Sequence, residues 1–163
     1  MIQAIVSDFS RVLLFPRDQN YSGSLNKLHQ ELLQETDYDF WKHFKLNDEL
    51  LAFYQSLSAS IPVFIFTSDS IQDHPPLHEK IKDVFKAILS AKELGIQKND
   101  PEAYHVLTSK LNIPSNEILY IDDSLENIAA AKNSGLKTAM YQNNQQIIER
   151  IAQEIEGTID LDI

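Results

Sequence analysis

The chain has 163 residues, 43% of them hydrophobic and 23% charged, the make-up of one globular domain with a sizeable core. Fourteen basic against twenty-four acidic side chains leave a formal charge of −10, which argues against binding a nucleic-acid backbone by bulk charge, and the lack of cysteine excludes disulfides and thiolate metal sites. No apolar run reaches membrane-spanning length, and the N-terminus lacks a basic stretch followed by a long apolar one, so the expected location is the cytoplasm, with no membrane partner.

In chain order, residues 2–6 form an apolar run that reads as a buried strand and runs out at Asp8. Ser10 and Arg11 follow, and then a second apolar run through Val12, Leu13, Leu14 and Phe15. Leu25, Leu28, Leu32 and Leu33 recur at helical spacing, and Tyr38, Phe40, Trp41 and Phe44 read as packing residues. Residues 16–46 are therefore expected to form a small helical insert within a single domain spanning 1–163. A second apolar stripe, Leu50, Leu51, Phe53, Tyr54 and Leu57, predicts a helix over 47–58 that leads into a strand at 62–66. The stretch "IQDHPPLHE" is expected to be a surface loop, and residues 87–89 a third strand. Asp100 and Pro101 read as N-cap and first helical position of a helix carrying Tyr104, Leu107 and Leu111. Residues 117–121 form a fourth strand, followed from Ser124 by a helix with Leu125, Ile128 and Ala129 that closes near Gly135. A fifth strand at 137–141 precedes the last helix, marked by Ile147, Ile148, Ile151 and Ile155 and ending near Gly157. Residues 158–163 read as a loosely held tail.

Strands alternating with helices imply crossover connections and a doubly wound, mostly parallel five-stranded α/β sheet with helices on both faces. Ligands of such sheets bind beyond the carboxyl ends of the strands. Asp8 stands there after the first strand, Thr67, Ser68 and Asp69 after the second, and Asp122, Asp123 and Ser124 after the fourth, with Lys98 in the loop before a helix. Clustered carboxylates need a cation, an all-oxygen site suits Mg²⁺, and a lysine with a hydroxyl beside it would hold a phosphoryl group. Taken one by one, the same residues could simply cap neighbouring helices and loops.

The ordered set resembles the haloacid dehalogenase superfamily, whose members are mostly Mg²⁺-dependent phosphatases. "AIVSDFSRVLL" resembles its first motif, "VFIFTSDS" its second, "LGIQKNDPEAY" its third and "ILYIDDSLENIAAAKNSGLKT" its fourth, over nearly the whole chain. The resemblance implies that Asp8 is the nucleophile, forming an aspartyl-phosphate that water hydrolyses. It implies that Thr67 binds a transferring oxygen and that Lys98 offsets charge. Mg²⁺ would be held by Asp8, the main-chain carbonyl of Ser10 and Asp123. Asp122, with Asn127 beside it, would be an outer partner, its counterpart being Lys98. Ser10, Arg11 and Ser68 would contact substrate, and Arg11 could equally form a salt bridge with one of the acids.

One position departs from the pattern. Phosphatases of this superfamily usually carry a second aspartate two residues after the first as general acid and base, and here that position is Ser10. Losing a positioned acid/base costs about 10²–10⁴ in rate. Three readings stay open: a phosphatase that relies on another acid or a good leaving group, a dehalogenase or phosphonatase-type hydrolase, and a catalytically silent protein that binds phosphorylated ligands or acts as a scaffold. Asp69, His74 and Glu79 are candidate proton sources, whereas His29, His43, His78 and His105 show no ligand spacing. Small and macromolecular phosphorylated substrates are both candidate partners, and a small cap, leaving the site more open, favours a large one or one enclosed by a second subunit in a homodimer.

Overall fold

The computed structural model describes residues 1–157. The chain runs from strand β1 (Ala4–Ser7) through β2 (Leu14–Pro16), helix α1 (Leu25–Leu32), the single turn α2 (Phe40–His43), β3 (Phe44–Leu46) and α3 (Asp48–Leu57). It continues with β4 (Val63–Thr67), α4 (Pro75–Ile81), β5 (Ala87–Ser90), the short α5 (Ala91–Leu94) and α6 (Pro101–Leu111). β6 (Ile118–Asp122), α7 (Leu125–Asn133), β7 (Lys137–Met140) and α8 (Asn144–Glu156) complete it. Five strands pair in parallel in the order β5-β4-β1-β6-β7, so β1 lies at the centre and the connections wind outward to both sides.

The alternation of side chains along each strand explains how one sheet builds two cores. Ile5, Ile65, Leu119 and Ile121 face a layer containing Leu50, Leu51, Tyr54, Ile147 and Ile151 from α3 and α8. Ala4, Val6, Phe64, Phe66, Ile118 and Tyr120 face the opposite layer with Ala103, Tyr104, Leu107, Ala130 and Ala131 from α6 and α7. Burial on both faces is why the strands read as unbroken apolar runs.

Four strands extend beyond their predicted C-terminal ends by one residue each. Ser7, Thr67, Ser90 and Asp122 all belong to the ladder, in the pairs Ser7↔Ile65, Thr67↔Ser90 and Asp122↔Met140. Polar residues at these ends are therefore held by strand hydrogen bonds rather than by loops. Asp100, with Pro101 at the first position, caps α6, and Ser124 caps α7. Gly135 closes α7 with φ 90, and a Cβ there would lie 2.9 Å from Ser115 Oγ, so only glycine fits. The tail predicted at 158–163 lies outside the described residues.

Two expectations change. Residues 16–46 are not wholly helical: β2 and β3 form an antiparallel ribbon, with Leu14 opposite Leu46 and Phe15 opposite Lys45. The run after Ser10 turns back on the Phe9 carbonyl, which accepts from the N–H groups of Leu13 at 2.9 Å and Leu14 at 3.2 Å, and so it forms a ribbon instead of prolonging β1. Three-residue strands are too short to show a period-two pattern. The stretch "IQDHPPLHE" is a 3-10 turn at Ile71–Asp73 followed by α4, whose first turn carries Pro75. It packs because Ile71 and Leu77 are buried. His74 lies 4.7 Å from His29, whose Nδ1 is 2.8 Å from the Tyr38 hydroxyl. These histidines therefore fasten residues 25–44 to α4. Among the described residues, no helix is long and apolar enough to cross a membrane.

Candidate active site

β1 places Asp8 one residue past its last rung, where the Asp8 N–H still donates to the Ile121 carbonyl at 2.7 Å. Beneath it the Ser7 hydroxyl donates to the Asp8 carbonyl at 2.9 Å and accepts from Tyr54 at the same distance, fixing the turn in the core. β6 delivers Asp122, which is fully buried. Its Oδ1 accepts from the Ser124 N–H at 2.9 Å, and its Oδ2 accepts from Asn127 Nδ2 at 3.1 Å and from the Tyr120 hydroxyl. Asp123, half-buried, follows on the cavity side.

Lys98 reaches in from the loop before α6. Its Nζ is 2.7 Å from Asp8 Oδ1 and 3.0 Å from Asp122 Oδ2, with only 3% of the side chain exposed. The ammonium lies over the rings of Phe66 at 5.5 Å and Tyr120 at 5.8 Å, and the Lys98 carbonyl accepts from the Tyr104 hydroxyl at 2.7 Å. Phe66, Tyr104 and Tyr120 thus form the seat of the lysine. The sequence places Phe66 and Tyr120 in buried strands and Tyr104 on a helix, with no sign of a link to Lys98. The signal available was period two, which puts Tyr120 on the same face of β6 as Asp122.

Charge in this cluster does not balance. Asp8, Asp122 and Asp123 each offer a carboxylate oxygen, these oxygens lie within 4.8 Å of one another, and one ammonium pairs with two of the three acids. Burial pushes the Asp8 carboxyl up to about 8; Lys98 pulls against that, while Asp122 and Asp123 add to it. Burial and the neighbouring Asp122 likewise raise Asp123. Burial also opposes ionisation of Asp122, but Lys98, the Tyr120 hydroxyl and the Ser124 N–H outweigh it and hold this acid below its usual range. Burial works against the Lys98 ammonium, and the two acids more than reverse that, raising it. Buried carboxylates in surplus take up protons or a cation, and an all-oxygen donor set fits a hard divalent ion such as Mg²⁺.

A cavity of about 210 Å³ opens above the cluster, lined by Asp8, Ser10, Thr67, Ser68 and Asp123 among others. Ser24, Leu25 and Asn26, at the start of α1, close it from the side, a contribution that sequence reading did not foresee. Ser10 Oγ is buried and has no hydrogen-bond partner among the described residues. Arg11, at φ 63, lines the same cavity, but its Nη2 donates to the carbonyls of Tyr21 at 3.0 Å and Gly23 at 2.8 Å. In this structure it ties down the loop before α1 and forms no ion pair with the acids. The three candidate proton sources are engaged elsewhere. Asp69 faces Lys92 at 3.3 Å, Glu79 faces Lys82 at 2.9 Å, and His74 packs against His29.

The family profile described as haloacid dehalogenase-like hydrolase matches residues 15–141. The chain belongs to this family. A phosphoglycolate phosphatase from Photobacterium profundum is 33% identical over 115 residues, which cover 64% of this chain and 49% of that protein. An enolase-phosphatase from Aquifex aeolicus is 25% identical over 107 residues, covering 63% of this chain and 43% of that one. The chain spans less than half the length of the curated relatives it matches. A haloacid dehalogenase-family enzyme from Bacteroides thetaiotaomicron, solved with magnesium and inorganic phosphate, shares the fold. Its TM-score is 0.64 at 16% identity, over 87% of this chain and 95% of that one. The family match begins after Asp8, so the placement of Asp8 among the other acids comes from the geometry alone.

Proposed function

We propose that this haloacid dehalogenase-family protein is a Mg²⁺-dependent phosphatase that works through an aspartyl-phosphate at Asp8. The observation that carries the reading is the clustering of Asp8, Asp122 and Asp123 on the wall of a small cavity, with Lys98 paired to the first two. Asp122 is occupied by Lys98, Tyr120, Asn127 and Ser124, which leaves Asp8, Asp123 and the Ser10 carbonyl to hold the ion. When bound, Mg²⁺ neutralises charge on the phosphoryl oxygens. An Asp8 oxygen attacks phosphorus, the bond to the ester oxygen breaks, and the departing alcohol takes its proton from solvent. Water then attacks the same phosphorus, frees Asp8 and releases phosphate. Lys98, fixed on Asp8 Oδ1, balances the charge of the carboxylate before attack, and Thr67 and Ser68 offer hydroxyls to the transferring group. Such positioning and charge neutralisation account for most of the catalysis of phosphoryl transfer. Residues 16–46, whose α1 closes the cavity, act as a reduced cap.

Release of phosphate from an aryl phosphate, requiring Mg²⁺ and lost in Asp8→Asn, is the expected result. Turnover that survives Asp8→Asn would refute the mechanism. One observation favours a second reading, a phospho-ligand binder without turnover: a serine stands where the acid/base is expected, and Asp69, His74 and Glu79 point elsewhere. Tight, Mg²⁺-dependent binding of beryllofluoride with no hydrolysis across a phosphate-ester panel would support it.

A further inference from the structure

A second and larger cavity, of about 610 Å³, lies against the outer side of the β2–β3 ribbon and has three cations on its wall, Arg11, Arg17 and Lys45. Its volume is in the range of small-molecule sites. In a chain of charge −10, no acidic side chain lines it, and none of the three cations forms an ion pair among the described residues. Arg17 Nε donates to the Trp41 carbonyl at 2.6 Å, so its guanidinium is held in place. The floor is equally fixed: Asn47 Nδ2 donates to Asn144 Oδ1 at 2.7 Å and to the Val12 carbonyl at 2.9 Å, and the Tyr141 hydroxyl donates to Asn144 Oδ1 at 2.8 Å. Of the carboxylates that adjoin the lining without belonging to it, Glu49 accepts from Asn144 Nδ2 at 2.8 Å, and Asp18 and Asp48 neighbour lining residues in sequence. This is a pre-organised basic pocket in an acidic molecule, and electrostatic focusing of that kind selects anions. Arg11 lines both this cavity and the one above Asp8.

We propose that this pocket receives the far end of the substrate whose phosphoryl group sits at Asp8. The preferred substrate is then a phosphate ester with a second anionic group, phosphate or carboxylate, at the other end of a short chain. The inference rests on the phosphatase reading and deepens it. Lys45 contributes most directly, since it stands opposite Phe15 in the ribbon, is exposed, and has no other anion to serve.

The test is titration calorimetry with Mg²⁺ and three series of matched chain length: alkyl monophosphonates, α,ω-alkane bisphosphonates and ω-phosphonocarboxylates. One added charge-assisted hydrogen bond predicts that a two-anion ligand of fitting length binds about tenfold or more tightly than its monophosphonate. Which two-anion series gains more identifies the distal group. Lys45→Glu is expected to bring that ratio close to one, whereas Lys110→Glu, an equal charge change on the far helix α6, keeps it. If the monophosphonates bind but no two-anion ligand gains at any length, or if Lys45→Glu leaves the ratio intact, the distal-anion site is refuted and the phosphatase reading stands. If no phosphonate binds at all, the phosphatase reading fails and this inference falls with it.

Discussion

Replacing Lys98 by methionine tests whether its ammonium is what allows carboxylates to be buried at the head of β1 and β6. The two contacts, at 2.7 and 3.0 Å, each correspond to about 6 kcal/mol of attraction at an effective dielectric of roughly 20. The cost of withdrawing the ammonium from water offsets much of that, and removing one partner of a buried pair leaves a net loss of about 3–5 kcal/mol. Methionine keeps the length of the side chain and the apolar contact with Phe66 and Tyr120, so the measured loss reports the charge. Urea unfolding at pH 8 in a chelating buffer is the assay. With a slope of roughly 2 kcal/mol per molar urea, the midpoint should fall by about 1.5–2.5 M. The deficit should shrink as pH falls from 8 toward the ordinary aspartate value of 3.8, because Asp122, which Lys98 holds below its usual range, can take up a proton once that partner is gone. A loss below about 1 kcal/mol at pH 8, or a loss that does not depend on pH, would refute the view that Lys98 compensates the acids.

Two further outcomes follow from the same cluster. Chelated protein should lose stability as pH rises between the ordinary aspartate value of 3.8 and about 8. Folded Asp8 holds its proton more strongly than unfolded Asp8, so its contribution is complete below that window and is lost across it. The difference between wild type and Asp8→Asn isolates this slope, millimolar Mg²⁺ should flatten it, and identical pH profiles for the two proteins would count against it. Ser10→Asp should raise phosphate release by up to about 10²–10⁴, most for alkyl phosphates whose leaving groups need a proton. An unchanged leaving-group dependence would show that another group already supplies that proton.

How much of this was legible in the sequence depended on burial. The central strands β1, β4 and β6 could be read because burial on both faces leaves mainly apolar side chains between the turn and the polar tip. The tips were legible for the converse reason: Asp8, Thr67 and Asp122 interrupt runs in which a polar group is costly. The β2–β3 ribbon was not, since three residues per strand carry no periodicity. Nor was α4, which reads as a surface loop although Pro75 opens the helix. The orientation of Arg11 could not be foreseen either, because a left-handed backbone at a non-glycine residue is set by its surroundings, here the return of the chain to the Phe9 carbonyl. That turn decides more than its length suggests. It aims the arginine at the Tyr21 and Gly23 carbonyls and starts the ribbon that carries Lys45. It also leaves Ser10 Oγ buried without a partner, at the position where an acid would serve the leaving group. With serine at position 10, and Asp8, Asp122 and Asp123 the acids on the cavity wall, the proposed chemistry leaves discrimination among substrates to whatever holds the rest of the molecule. A basic pocket carrying cations at positions 11, 17 and 45 adjoins the same turn, and on the two-anion proposal these side chains, rather than an acid at position 10, decide which ligand is held.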